Sequence, residues 1–83
     1  MKFRAEIDIM PLEALLDPQG KAVNAGLRKL GLNNISSVRV GKHITLQLEA
    51  ASEAEARAEV EEACKKLLAN LIMESYRFEL VAG

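Results

Sequence analysis

Apolar and polar residues alternate strictly at the start of the chain. Phe3, Ala5, Ile7 and Ile9 are apolar, whereas Lys2, Arg4, Glu6 and Asp8 between them are charged. A period of two over this length predicts a strand with one wet face. After Pro11 and the loop "PLEALLDP" the period changes. Val23, Leu27 and Leu30 fall at the i, i+4, i+7 spacing of a helical stripe. Asp17 is a good N-cap, Pro18 a good first helical residue and Gly31 a good stop, so this helix is expected to lie on the sheet. The stretch "SSVRVGKHITLQLEA" predicts two short strands, Val38 with Val40 and Ile44 with Leu46 and Leu48, around a glycine turn. A two-residue Gly41–Lys42 turn would place Val40 opposite His43, whereas bringing Val40 opposite Ile44 calls for a three-residue loop, Gly41 to His43, which is the favoured reading.

A second helix opens at "SEAE", where Ser52 and Glu55 have the spacing of a capping box, and runs on with Ala56, Val60, Cys64 and Leu67 along one stripe. Glu61 with Lys65 and Glu62 with Lys66 are i, i+4 pairs on its wet side. Asn70 can take the left-handed conformation that closes a helix. In "LIMESYRFELV", Tyr76, Phe78 and Leu80 share one strand face, and Met73, Ser75, Arg77, Glu79 and Val81 the other.

The expected order is therefore β-α-β-β-α-β, a single α+β domain over residues 1–83. It is a two-layer sandwich with an antiparallel sheet and two helices on one face. The opposite sheet face is left bare, and part of it is expected to pair with another subunit.

Two glycines interrupt the first helix, each costing about 1 kcal/mol relative to alanine. Gly20 falls inside the apolar stripe, where close packing of the helix on the sheet accounts for it. Gly26 falls at the stripe's margin, where packing and contact with a partner are equally good accounts.

With 83 residues the domain is small enough that docking or oligomerisation is a natural source of stability, and with Cys64 as the only cysteine no disulfide within the chain can help. A lone cysteine fits a reducing cytoplasm. No run approaches the roughly 18 apolar residues that span a bilayer, and the alternating N-terminus does not resemble a signal peptide. Eleven basic against twelve acidic residues leave a net charge of −1, which provides no footprint for nucleic acid. Phe3, Tyr76 and Phe78 are the only aromatics, few for a base-stacking platform.

Chemistry-bearing residues are sparse. His43 is the sole histidine and reads as a solvated turn residue, and Cys64 reads as a small core hydrophobe. Together they form neither a nucleophile–base pair nor a metal set, so no catalytic, cofactor or metal residue is assigned. The carboxylates of the second helix read as a solvated face. "RVGK", Arg39 to Lys42, lacks the remaining landmarks of a phosphate loop and reads as a turn.

Taken together, "LLDPQGKAVNAGLRKLG", "VRVGKHITLQL" and "CKKLLANLIMESYRFEL" resemble the PurS family, the small subunit of phosphoribosylformylglycinamidine (FGAM) synthase in purine biosynthesis. Family members usually carry Asn-Pro after the second helix, where Leu71 follows Asn70 here. The resemblance implies a non-catalytic, dimeric bridge between PurL and PurQ. PurL is the synthetase subunit that binds ATP, magnesium and formylglycinamide ribonucleotide, and PurQ is the glutaminase that releases ammonia. It implies no cofactor in this chain, no nucleic-acid or membrane partner and a cytoplasmic location. Asp17, Gly26, Arg39, Gly41, Lys42, Asn70, Glu74 and Tyr76, drawn from these motifs, are the candidate assembly residues. A stand-alone ligand-sensing module of the ACT type, with the same element order, is the alternative.

Overall fold

The computed structural model describes residues 1–13 and 17–83. The middle of the "PLEALLDP" loop lies outside the described residues. The chain runs β1 (Lys2–Pro11), α1 (Pro18–Lys29), β2 (Lys42–Glu49), α2 (Glu53–Ala63), a π-helical turn (Cys64–Leu68) and β3 (Glu74–Ala82). The fold is α+β, with two helices and an antiparallel sheet in the order β2-β1-β3.

β1 is the central strand, and its alternation fixes the register on both sides. Ile7 lies opposite Ile44 of β2 and Phe78 of β3, and Ala5 opposite Leu46 and Leu80. Phe3, Ala5, Ile7 and Ile9 are all buried, and so are Ala56 and Val60 of α2 and Cys64 of the π-helical turn that cover this strand. Pro11 is tolerated in a central strand because it ends it, where a missing N–H interrupts little of the ladder.

Four local expectations are corrected. Val38 to Val40 is not a strand, so the sheet has three strands among the described residues and the predicted hairpin register at Gly41 to His43 does not arise. Two hydrogen bonds hold this segment outside the sheet, one to the cap of α1 and one to the end of β1. The Val40 N–H donates to Asp17 Oδ2 at 2.9 Å, and the Arg39 guanidinium is bound to the Pro11 carbonyl. Secondly, α1 does not lie on the sheet. α2 alone packs against β1, while Val23 and Leu30 of α1 are 45% and 75% exposed. Thirdly, Leu67 leaves the buried stripe and is 83% exposed, because the π-helical turn places more residues in each turn than an α-helix. Leu68 takes its place against the core, and the Ala69 N–H closes the wide turn on the Cys64 carbonyl at 3.0 Å. Fourthly, among the described residues none other than glycine has positive φ, so Asn70 is not left-handed. The chain leaves the helix at Ala69 in extended conformation, and Asn70 builds the following turn by accepting the Ile72 N–H on Oδ1 at 3.2 Å.

Both N-caps form as expected, although the capping box at Ser52 is half made, its Glu55 Oε2 accepting the Ala51 N–H at 3.3 Å in place of that of Ser52. Asp17 Oδ1 accepts the Gly20 N–H at 2.9 Å, and Ser52 Oγ accepts the Glu55 N–H at 3.2 Å. Gly31, at φ 85°, ends α1 in a Schellman arrangement: its N–H reaches the Arg28 carbonyl at 3.0 Å and that of Leu32 the Leu27 carbonyl at 3.1 Å.

Candidate functional site

Most of the candidate assembly residues converge at one end of the sheet, where β1 finishes and β2 and β3 begin. Asp17 is the hub on the α1 side. One carboxylate oxygen caps the helix and the other holds the Val40 N–H, and these backbone donors keep its carboxyl below the usual carboxylate range. The Gly20 backbone sits so close to the Val38 carbonyl that a side chain has no room there. Gly20 therefore serves close packing, but against the segment returning to β2, where packing of helix on sheet was the expectation. Gly41 is equally constrained, facing Met10 and the Ile9 carbonyl.

Glu74 ties the other side. It accepts the Asn70 N–H at 2.9 Å and lies 3.8 Å from the Lys42 ammonium. Tyr76 donates its hydroxyl to Glu61 Oε2 at 2.8 Å, and that carboxylate is the main reason its phenol is pushed up to about 12. Arg39, Gly41, Lys42 and Tyr76 line a shared open cleft of about 630 Å³. Gly26 stands apart on α1 with open space where a Cβ would be.

The bare sheet face carries a charged lattice that the sequence reading missed. The imidazole of His43 lies between two carboxylates of β1, with Nδ1 at 2.7 Å from Asp8 Oδ1 and Nε2 at 2.6 Å from Glu6 Oε2. Thr45 Oγ1 donates to the same Glu6 oxygen at 3.0 Å, Arg4 Nε sits 2.8 Å from Glu6 Oε1, and Arg77 Nε lies 3.6 Å from Asp8 Oδ2. Only an imidazolium can donate from both nitrogens at once, so this geometry selects the charged form. The hydrogen bonds to Asp8 and Glu6 raise the pKa of His43 accordingly, and those from His43 lower both carboxyl values. His43 is thus a strand residue clamped by its neighbours, not a solvated turn residue. Alternation in β1 and β3 revealed the charges, but their partners depend on the register, in which Asp8 faces both His43 and Arg77.

Cys64 is fully buried in the core, and burial pushes its thiol up, which disfavours the reactive thiolate. Glu61 and Glu62 hold their i, i+4 lysines at 3.7 and 2.5 Å. These arrangements position backbone and balance charge, and the described residues contain no cluster of three metal-ligating side chains.

The chain is thus a three-stranded α+β unit whose polar groups hold one another and whose first helix stands off the sheet. The family model described as "PurS: Phosphoribosylformylglycinamidine (FGAM) synthase" matches residues 4–82, and the chain belongs to that family. It is 48% identical over 80 residues to the phosphoribosylformylglycinamidine synthase subunit PurS of Synechocystis, covering 96% of this chain and 80% of that protein. The structure of Bacillus subtilis PurS superposes with a TM-score of 0.84 at 37% identity, covering 94% of this chain and 96% of that one. A chain in the structure of PurLQS from Thermotoga maritima superposes with a TM-score of 0.89 at 30% identity, covering 98% and 99%.

Proposed function

We propose that this chain is the PurS subunit of FGAM synthase. In this role it bridges the synthetase subunit PurL and the glutaminase PurQ during conversion of formylglycinamide ribonucleotide, ATP and glutamine to FGAM. ATP and magnesium belong to the synthetase subunit, and this chain contributes surfaces instead of reacting groups. The observation that carries the reading is the match along almost its whole length to a chain of a PurLQS structure. Family-model coverage of residues 4–82 supports one PurS-like unit. The linked set from Asp17 through Arg39, Gly41 and Lys42 to Asn70, Glu74 and Tyr76 is the proposed assembly end.

A homodimer is part of this proposal. The radius of gyration is 16.4 Å, whereas a compact chain of this length has about 12 Å, and α1 leaves apolar side chains in water. The proposed location is the cytoplasm, and no described helix is long and apolar enough to cross a membrane. The test is reconstitution: the purified chain should have no glutaminase or ATPase activity alone and should raise glutamine-dependent FGAM formation when added to PurL and PurQ. Unchanged activity on its addition would overturn the reading. Saturable binding of an amino acid to the isolated chain would favour the ACT-like alternative.

A further inference from the structure

On the bare sheet face, two neighbouring cross-strand rows differ in side-chain size. His43, Asp8 and Arg77 form one row, and two residues further along β1 the next is Gly41, Met10 and Ser75. Gly41 and Ser75 are small on either side of Met10, so the sheet is hollowed there. Gly41 cannot be enlarged, because a Cβ would strike Met10 Sδ and the Ile9 carbonyl. Arg39 closes the far side, anchored on the Pro11 carbonyl, and Lys42 and Tyr76 complete the lining from neighbouring positions. The result is the open cleft of about 630 Å³, which falls within the roughly 300–1,000 Å³ of small-molecule sites. Its lining is basic in a chain of net charge −1: Arg39, Lys42, His43 and Arg77 stand against Asp8.

We infer that this cleft binds the phosphate group of a small phosphorylated molecule, with Arg39, Lys42 and Arg77 as its charged holders and the Ser75 hydroxyl as a further donor. These side chains come from the segment before β2, from β2 and from β3, so they approach the hollow from different sides. A phosphate carries nearly two negative charges at neutral pH and presents several oxygens in different directions, which suits such converging donors, whereas a carboxylate offers one charge and two oxygens in one plane. Arg77 is 87% exposed with its Nε 3.6 Å from Asp8, while Lys42 and Arg39 lie 3.8 Å from Glu74 and Glu13. Exposed pairs this long contribute little, so a phosphate oxygen replaces them at small cost. His43 has a different task. Both of its nitrogens are engaged by Asp8 and Glu6, and its positive charge offsets carboxylates that would otherwise repel the ligand. Met10 gives the floor an apolar surface for the rest of the molecule. This site does not depend on the role in FGAM synthase proposed above.

The test is an NMR titration of the isotopically labelled full chain at constant ionic strength, with glycerol phosphate, inorganic phosphate and glycerol as probes. The amides of Gly41, Lys42, Ser75 and Arg77 should shift saturably at millimolar concentrations of a phosphate compound and stay in place with glycerol. Tighter binding of glycerol phosphate supports the site as one for a phosphate ester, and inorganic phosphate binding as tightly supports it as one for the phosphate group alone. Arg77→Gln should weaken binding about tenfold, the loss of one charge-assisted hydrogen bond. Ser75→Asp, which places a carboxylate on the floor of the cleft, should abolish it. Lys66→Gln, on the π-helical turn, should change nothing. Arg77→Gln alters an exposed side chain and keeps the fold, so the Arg77 arm stays decisive should Ser75→Asp fail to fold. The absence of saturable shifts at these amides with both phosphate compounds, shifts of the same size with glycerol, or wild-type affinity in Arg77→Gln would each overturn the site.

Discussion

Adding one methyl group at two positions of the same helix should move stability in opposite directions. Gly26→Ala places its methyl in open space, so it should restrict the unfolded chain at no steric cost and stabilise the subunit by about 0.4–1 kcal/mol. Gly20→Ala makes the same gain but drives its methyl into the Val38 carbonyl and to 2.7 Å from Asp17 Oδ2. Neither neighbour can swing aside freely, because Asp17 joins the Gly20 and Val40 N–H groups. Overpacking costs about 1–3 kcal/mol and a disturbed N-cap about 1 kcal/mol, so the net loss at Gly20 should be about 1–3 kcal/mol. For a domain of this size 1 kcal/mol moves Tm by about 4–8 °C. Thermal unfolding at one fixed subunit concentration should therefore place Gly26→Ala about 2–8 °C above the wild type and Gly20→Ala at least about 4 °C below it. A Gly20→Ala variant as stable as the wild type would refute the close-approach reasoning. A destabilised Gly26→Ala would show that the space beside it is filled in solution. If Gly26→Ala is stabilised, an unchanged concentration for half-maximal activity with PurL and PurQ would remove Gly26 from the assembly surface.

His43 links the charged face to pH. Its folded pKa is raised, so its contribution is fully present below the unfolded value of about 6.5 and is lost as pH rises through the folded value. An NMR titration of the imidazole should show the upward shift in the wild type and a reduced one in Asp8→Asn, and a wild-type value at or below 6.5 would contradict the clamp. Tyr76, the only tyrosine, should titrate by ultraviolet absorbance near 12, and Glu61→Gln should bring it down toward its ordinary range; an unchanged titration would rule out the Glu61 contact. In urea unfolding of the isolated subunit, Ile7→Ala should cost about 2–5 kcal/mol, whereas Leu67→Ala should stay within about 0.5 kcal/mol, and a large loss at Leu67 would mean that the π-helical turn does not expel it.

What the sequence determined by itself was local. The alternation of β1, the caps at Asp17 and Ser52, the stop at Gly31 and the buried run Ala56, Val60 and Cys64 all follow from periodicity and cap chemistry, which act within a few residues. The motifs "LDPQG" and "RVGK" likewise carried the resemblance to PurS. The tertiary structure decided everything that required knowing who lies opposite whom. Val38 to Val40 reads as a strand by composition, yet Asp17, over twenty residues earlier, takes the Val40 N–H and holds the segment outside the sheet. Leu67 reads as core at 3.6 residues per turn, and one wider turn exchanges it for Leu68. His43 reads as a loop histidine until the β1–β2 register sets it between Glu6 and Asp8. The amphipathic stripe of α1 announced a buried face, but amphipathicity does not name the cover, and the fold leaves Val23 and Leu30 exposed.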